Sequence, residues 1–188
     1  MSDKASFFRL RVISGDAGSR GTGRWEICYN IGKELWESVS SKEVLLWTSK
    51  KILVPIDGSD ASERAFSYAV AFAKKTAAEI ILLYVVDADT LMYPVYRVSL
   101  AETDTASVKK KGEDILALYA QDAPEDVKVR RIVSIGVPGS SIIRTAEAEG
   151  ADLIVMGNSG KGSVSSFVMG SVSHYTVHHA ECPVLIVK

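Results

Sequence analysis

The sequence predicts an α/β domain built on a mainly parallel, doubly wound sheet. Three observations carry that expectation. From residue 51 onward, apolar runs of strand length alternate five times with amphipathic stretches of helical length. One of those runs, EIILLYVVD at 79–87, is apolar almost throughout, as a strand covered on both faces must be. Helix start and stop residues fall where the alternation needs them, with Asp60 or Ser62 placed to cap one helix and Gly150 placed to end another.

The elements follow in order. KKILVPID (50–57) is a short apolar strand running into a turn, and the helix after it carries Ala65, Tyr68, Ala69, Phe72 and Ala73 on one face. EIILLYVVD is the second strand. TASVKKKGEDILALYAQ (105–121) is a helix with Val108, Ile115, Leu116 and Leu118 as its apolar side, and VKVRRIVSIG (127–136) alternates as a third strand. SSIIRTAEAEG (140–150) is a helix closed by Gly150, and ADLIVMG (151–157) is the fourth strand. SSFVMGSVSHYTVHHA (165–180) is the last helix and CPVLIVK (182–188) the last strand.

Residues 1–50 read differently and form an N-terminal extension of unassigned structure, leaving 51–188 as the domain. All three tryptophans, Trp25, Trp36 and Trp47, lie in the extension, which carries 8 Lys/Arg against 6 Asp/Glu where the rest carries 14 against 17. SGDAGSRGTG (14–23) has the composition of a flexible loop, and 31–47 has the apolar spacing of an amphipathic helix.

Bulk properties narrow the function. A net charge of −1 gives no field to recruit nucleic acid, and no apolar run approaches the ~18 residues that span a bilayer. Cys28 and Cys182 have no metal-ligand spacing and form no disulfide framework, which suits a reducing, cytoplasmic setting. Cys182 reads as a buried structural thiol.

In doubly wound sheets ligands bind beyond the carboxyl ends of strands, where strand order reverses. That directs attention to 55–59, 85–87, Gly136 and the stretch from Gly157. The last of these, MGNSGKGSVSSFVMGSVSH (156–174), is strand, glycine loop and helix, a common way to hold phosphate. It is not a Walker A loop: Val155 stands where the first glycine belongs, and Gly162 follows Lys161 where a hydroxyl should hold magnesium. Nor is it a Rossmann fingerprint, because Gly157-Asn158-Ser159 breaks G-x-G. The spacing present is Gly157-x2-Gly160-x9-Gly170-Ser171. Gly157 is expected to turn the chain at positive φ, Gly160 to let backbone N–H groups approach a phosphate, and Gly170-Ser171 to offer a helix start to the same anion.

That spacing resembles the ATP-binding signature of the universal stress protein family. KKILVPIDGS, ILLYVVD, IGVPGSSII and CPVLIVK resemble further blocks of the same family, so that the likeness covers residues 50–188. The resemblance implies a five-stranded, flavodoxin-like domain with helices on both faces. It implies a homodimer formed through the last strand (183–187), and ATP with Mg2+ or Mn2+ at the switch point. By position it implies that Pro55 and Ile56 lie near the nucleoside, that Asp57 accepts from the ribose or works with a metal, and that Val85 reads adenine through its main chain. Met156 would pack near the base or sugar, and Gly157, Ser159, Gly160, Gly170, Ser171, Val172 and Ser173 would cradle the phosphates. Asn158-Ser159 stands where the family often has Ser followed by His or Arg, and Lys161 is the candidate replacement for that cation.

The function expected is a nucleotide-responsive stress or signalling module with slow or no ATP hydrolysis, since no general base or arginine finger is evident. Ser171 or Ser173 is a conceivable acceptor for autophosphorylation. The alternatives are a nucleotide-dependent phosphoryl or adenylyl transferase on this fold, or a non-nucleotide dimeric interaction module. Residues 88–104, with Met92, Tyr93, Val95 and Tyr96, are candidates for a lid over the nucleotide or a contact with a partner subunit. His174, His178 and His179 suit a helix C-terminus better than a metal, because no further ligands complete a site.

Overall fold

A computed structural model describes residues 9–14, 24–29, 49–87, 102–160 and 169–187. The strands are β1 (Arg9–Ser14), β2 (Arg24–Tyr29), β3 (Lys51–Pro55), β4 (Glu79–Asp87), β5 (Val129–Gly136), β6 (Leu153–Gly157) and β7 (Val184–Val187). The helices are α1 (Asp60–Thr76), α2 (Glu102–Gln121), α3 (Pro138–Glu149) and α4 (Ser171–His179). The sheet runs β1-β2-β7-β6-β3-β4-β5. Every pairing among the five strands from β3 onward is parallel. The flavodoxin-like architecture expected from the sequence is therefore present.

Alternation along the strands sorts the core into two layers. Ile52, Val54, Ile80 and Leu82 face Ala65, Phe66 and Ala69 of α1 and Leu116 of α2. Leu53, Ile81, Leu83, Ile154 and Met156 face the opposite side, against Ile142 and Ala146 of α3 and Ala180 after α4. Both faces of the central strands are covered, which is why 79–87 tolerates no polar alternation. Two details of the helical faces depart from the periodicity. Phe66, not among the residues expected inward, is buried and meets Tyr119 edge-on at 5.4 Å, whereas Leu118 is 62% exposed. The contact with Tyr119 of α2 accounts for the inward place of Phe66, while Leu118 lies outside the buried arc of α2.

Helix ends show one correction and one agreement. The N-cap of α1 is Ser59, whose Oγ accepts from Ser62 N at 3.2 Å, not Asp60 or Ser62. Ser62 instead turns its hydroxyl back to Ser59 O at 2.8 Å. Gly150 ends α3 in the left-handed region, φ 61 and ψ 50, as the sequence predicts. At the opposite end of the sheet from the strand termini that matter below, Asp152 Oδ2 accepts from Lys50 N and Lys51 N at 2.8 and 2.9 Å. That carboxylate ties the start of β3 to the start of β6. Nearby, Arg130 lies between Glu79 and Glu149, and its hydrogen bond holds the Glu149 carboxyl below its usual range.

The N-terminal extension contributes two strands that its composition did not announce. β1 and β2 pair antiparallel from Arg9↔Tyr29 to Ser14↔Arg24, and β2 pairs antiparallel with β7 from Trp25↔Val187 to Cys28↔Val184. The outer edge of β7 is thus engaged within the chain, where the resemblance implied a second copy. The helix expected over 31–47 and the lid candidate 88–104 lie outside the described residues, apart from 102–104 at the start of α2.

Gly150 offers a clean test of backbone cost, because a Cβ there would meet nothing within 4 Å. Gly150→Ala should therefore lower stability by about 1 kcal/mol through the left-handed conformation alone. Urea denaturation should show the midpoint falling with an unchanged slope.

Candidate functional site

The strand order reverses at β3, whose neighbours are β4 on one side and β6 on the other. Chains leaving β3 and β6 diverge there, and a cavity of about 580 Å3 opens beyond their carboxyl ends. Pro55, Ile56, Asp57, Val85, Met156, Gly157, Ser159, Gly160, Gly170, Ser171, Val172 and Ser173 all line it. Three stretches far apart in sequence thus meet on one surface. Lys161 lies outside the described residues.

The cavity has two chemically different ends. Around β4 and α3 it is mainly apolar, with Leu83, Val85, Pro138 and Ile142 beside Met156 of β6, and Asp87 is the charged residue at the end of β4. Around β6 and α4 it is glycine, serine and helix terminus. Leu83, Pro138, Ile142, Ser59 and Ser62 line the cavity without having been singled out as ligand residues. Leu83 was legible by parity, since it shares a strand face with Val85. Pro138 was legible as a proline at the first position of a helix that starts beyond a strand end.

Asp57 is aimed by its own turn. Ser59 donates to its Oδ1 twice, from N at 3.0 Å and from Oγ at 2.6 Å. The same Ser59 Oγ accepts from Ser62 N, so the carboxylate, the turn and the start of α1 form one relay. Gly58 makes the turn possible at φ 75. A Cβ on Gly160 would sit 2.6 Å from Asp57 Oδ2, which places the carboxylate directly against the glycine loop.

The signature glycines divide the steric work unequally. Gly157 does not adopt the positive φ expected of it; among the described residues that region holds Gly58, Gly136, Gly150 and Ala77. It is glycine for room, because a Cβ would lie 2.7 Å from Ala61 Cβ and 2.8 Å from the Ala61 carbonyl carbon. At Gly170 the nearest atoms to a Cβ are 3.4 Å away, an ordinary contact. Gly170 is the N-cap of α4, with no side-chain cap, so the helix presents its start to the cavity undressed.

Ser171 is exposed at the head of α4, whereas Ser173 is buried and donates to Gly157 O at 2.9 Å and Asn158 O at 3.2 Å. Ser173 Oγ–H is thereby committed to backbone, which leaves Ser171 as the helix-start hydroxyl turned to the cavity. Asp57 and Asp87 are the charged side chains of the described lining, and neither a lysine, an arginine nor a histidine is among them. The lining therefore offers helix-start and backbone N–H groups as donors, with the Asp57 and Asp87 carboxylates close by.

Other candidate groups lie elsewhere. The His174 and His178 rings are 4.4 Å apart, and His179 Nδ1 contacts Tyr175 O at 2.8 Å on the last turn of α4. Among the described residues no three His, Cys, Asp or Glu gather as a metal site. Cys182 packs beside the α3/α4 layer, and burial pushes its thiol up to about 11. Among the described residues no helix is long and apolar enough to cross a membrane.

Comparison with known proteins agrees with this geometry. The model of the universal stress protein family matches residues 48–188. The chain belongs to the universal stress protein family. It is 38% identical over 140 residues to a universal stress protein of Methanocaldococcus jannaschii, covering 74% of this chain and 82% of that one. A putative universal stress protein of Staphylococcus aureus is 37% identical over 147 residues, covering 75% and 85%. Among solved structures, the hypothetical protein MJ0577 is 31% identical with a TM-score of 0.65, covering 74% of this chain and 95% of that one. The universal stress protein UspA of Lactobacillus plantarum is 33% identical with a TM-score of 0.59, covering 74% and 97%. A universal stress protein in complex with cAMP, 22% identical with a TM-score of 0.51, shares the fold.

The contrast between two glycines is measurable. Gly157→Ala should cost about 1–3 kcal/mol by forcing the end of β6 away from α1, while Gly170→Ala should cost no more than about 1 kcal/mol as an N-cap change. Thermal unfolding of the two variants separates these outcomes.

Proposed function

We propose that this chain is an ATP-binding universal stress protein, a module that changes state on nucleotide binding and turns ATP over slowly or not at all. The observation that supports the reading best is the convergence of β3, β4, β6 and the bare start of α4 on one cavity with an apolar and a phosphate-suited end. Cavities of ~300–1,000 Å3 suit small ligands, and this one falls within that range. The apolar end, beside Val85 and Met156, takes the base. The main chain of Val85 borders it at the end of a strand that β3 has already left, since Ile56 N makes the next bond to Leu83 O at 2.8 Å. The glycine and serine end takes the phosphates, and Asp57 is the carboxylate that would help hold Mg2+ or Mn2+ there and so offset their charge. The related fold that holds cAMP is in keeping with a purine nucleotide, though the assignment rests on this chain's own cavity.

Binding rather than rapid chemistry fits the hydroxyls. Ser59 gives its proton to Asp57, and Ser173 gives its proton to two carbonyls. A homodimer through 183–187 remains what the resemblance implies, and in this chain it competes with β2 for the edge of β7.

Titration calorimetry with ATP tests the reading. ATP should bind with one-to-one stoichiometry in the presence of Mg2+, and Gly160→Val should remove binding by filling the space against Asp57. Absence of heat from the wild-type protein with either Mg2+ or Mn2+ would falsify it. Chelating the metal should weaken wild-type binding by at least about tenfold, the worth of one charge-bridging contact. Asp57→Asn should lose most of that metal dependence, and a variant that keeps it in full would remove Asp57 from the metal's surroundings.

A further inference from the structure

The phosphate end of the cavity is assembled from two pieces, Gly157–Gly160 after β6 and Gly170–Ser173 at the head of α4. They are nine residues apart in sequence, so something other than chain continuity must hold them in register. The described hydrogen bonds show what does. Gly170 N donates to Asn158 O at 2.7 Å, and Ser173 Oγ donates to the carbonyls of both Gly157 and Asn158. On its other side Asn158 N donates to Val187 O at 2.8 Å, so the whole residue is fixed between β7 and α4. Ser173 and Asn158 are each 3% exposed, which keeps water from substituting for these bonds.

Ser173 departs from the habit of most hydroxyls in the helix interiors. Ser67, Thr76, Thr145 and Thr176 each turn back to the carbonyl four residues earlier in their own helix. Ser173 reaches across to another element instead. A hydroxyl has one proton, and here two backbone carbonyls share it, so none remains for a phosphate oxygen. A trans peptide points its N–H opposite to its C=O, so pinning the Asn158 carbonyl also fixes the direction of the Ser159 N–H in the cavity wall.

We infer that Ser173 is a positioning residue: its hydroxyl ties the glycine loop to the head of α4 and so sets affinity for the polyphosphate part of a ligand, without touching it. This rests on the nucleotide reading above. Without the tether, ordering the two pieces would be charged against binding, and only ligands that span both would feel the loss.

The test compares ATP with adenosine by calorimetry on Ser173→Ala and Ser173→Cys. The cysteine variant keeps the volume of the site and weakens the donor, so it carries the test if the alanine variant fails to fold. ATP affinity should fall on the order of tenfold, the equivalent of about one hydrogen bond, while adenosine affinity stays within about twofold. Equal losses for both ligands, or no loss for either, would overturn the inference. Amide exchange of ligand-free protein gives a readout independent of ATP. The Gly170 N–H should exchange faster in Ser173→Cys than in wild type, and unchanged exchange would refute the tether. A wild-type protein that binds neither ligand yet shows the exchange difference would sink the nucleotide reading and leave the tether standing.

Discussion

Parallel pairing of β3 with β4 on one side and β6 on the other is the constraint from which the rest of the domain follows. Ile52 and Leu53 face Ile80 and Ile81 across one ladder and Leu153 and Ile154 across the other, all of them buried. With both edges of β3 occupied, the chain must build β4 and β5 outward in one direction and β6 and β7 in the other. The chain ends of β3 and β6 then part company, and the crevice between them is a consequence of topology before any ligand residue is chosen. Asp152 fixes the opposite ends of the same two strands, so the separation is confined to one rim of the sheet.

Within that rim, space and hydrogen bonding have been assigned to different residues. Gly157 gives α1 room to close on the end of β6, Gly160 gives Asp57 room to face the loop, and Gly170 leaves the start of α4 uncovered. Three glycines that look equivalent in a spacing pattern therefore do three different jobs, two of them already required in the ligand-free protein. The polar residues divide in the same way. Ser59 and Ser173 spend their protons on the protein itself, while Ser171 stands exposed at the head of the helix.

Much of this was legible in the sequence because it depends on periodicity and spacing. The five-fold alternation of strand and helix, the left-handed Gly150 and the convergence of Asp57, Val85 and the glycine loop all follow from patterns that local residues impose. What was not legible depends on distance through space. Ser59, Asp60 and Ser62 are equally good capping residue types, and only the Asp57 turn selects Ser59. Gly157 could not be known to face Ala61, a helix 96 positions earlier, so a turn was the natural reading of a glycine at a strand end. Ser173 looked like one more phosphate donor until its partners across the loop were visible. The β1–β2 pair did leave a local signal, since RLRV and RWEI each alternate polar and apolar with strand period, whereas the pairing of β2 with β7 joins segments far apart in sequence.

The central claim is that one cavity binds a nucleotide, with the base toward β4 and α3 and the phosphates toward β6 and α4. The most direct measurement is a titration of isotopically labelled protein with ATP and Mg2+, followed by backbone amide resonances. Shifts should concentrate at Val85, at Ser159–Gly160 and at Ser171–Ser173, with AMP reproducing the change at Val85 and only part of the change at the head of α4. Shifts confined to other surfaces, or none at these amides at saturating ATP, would contradict the account.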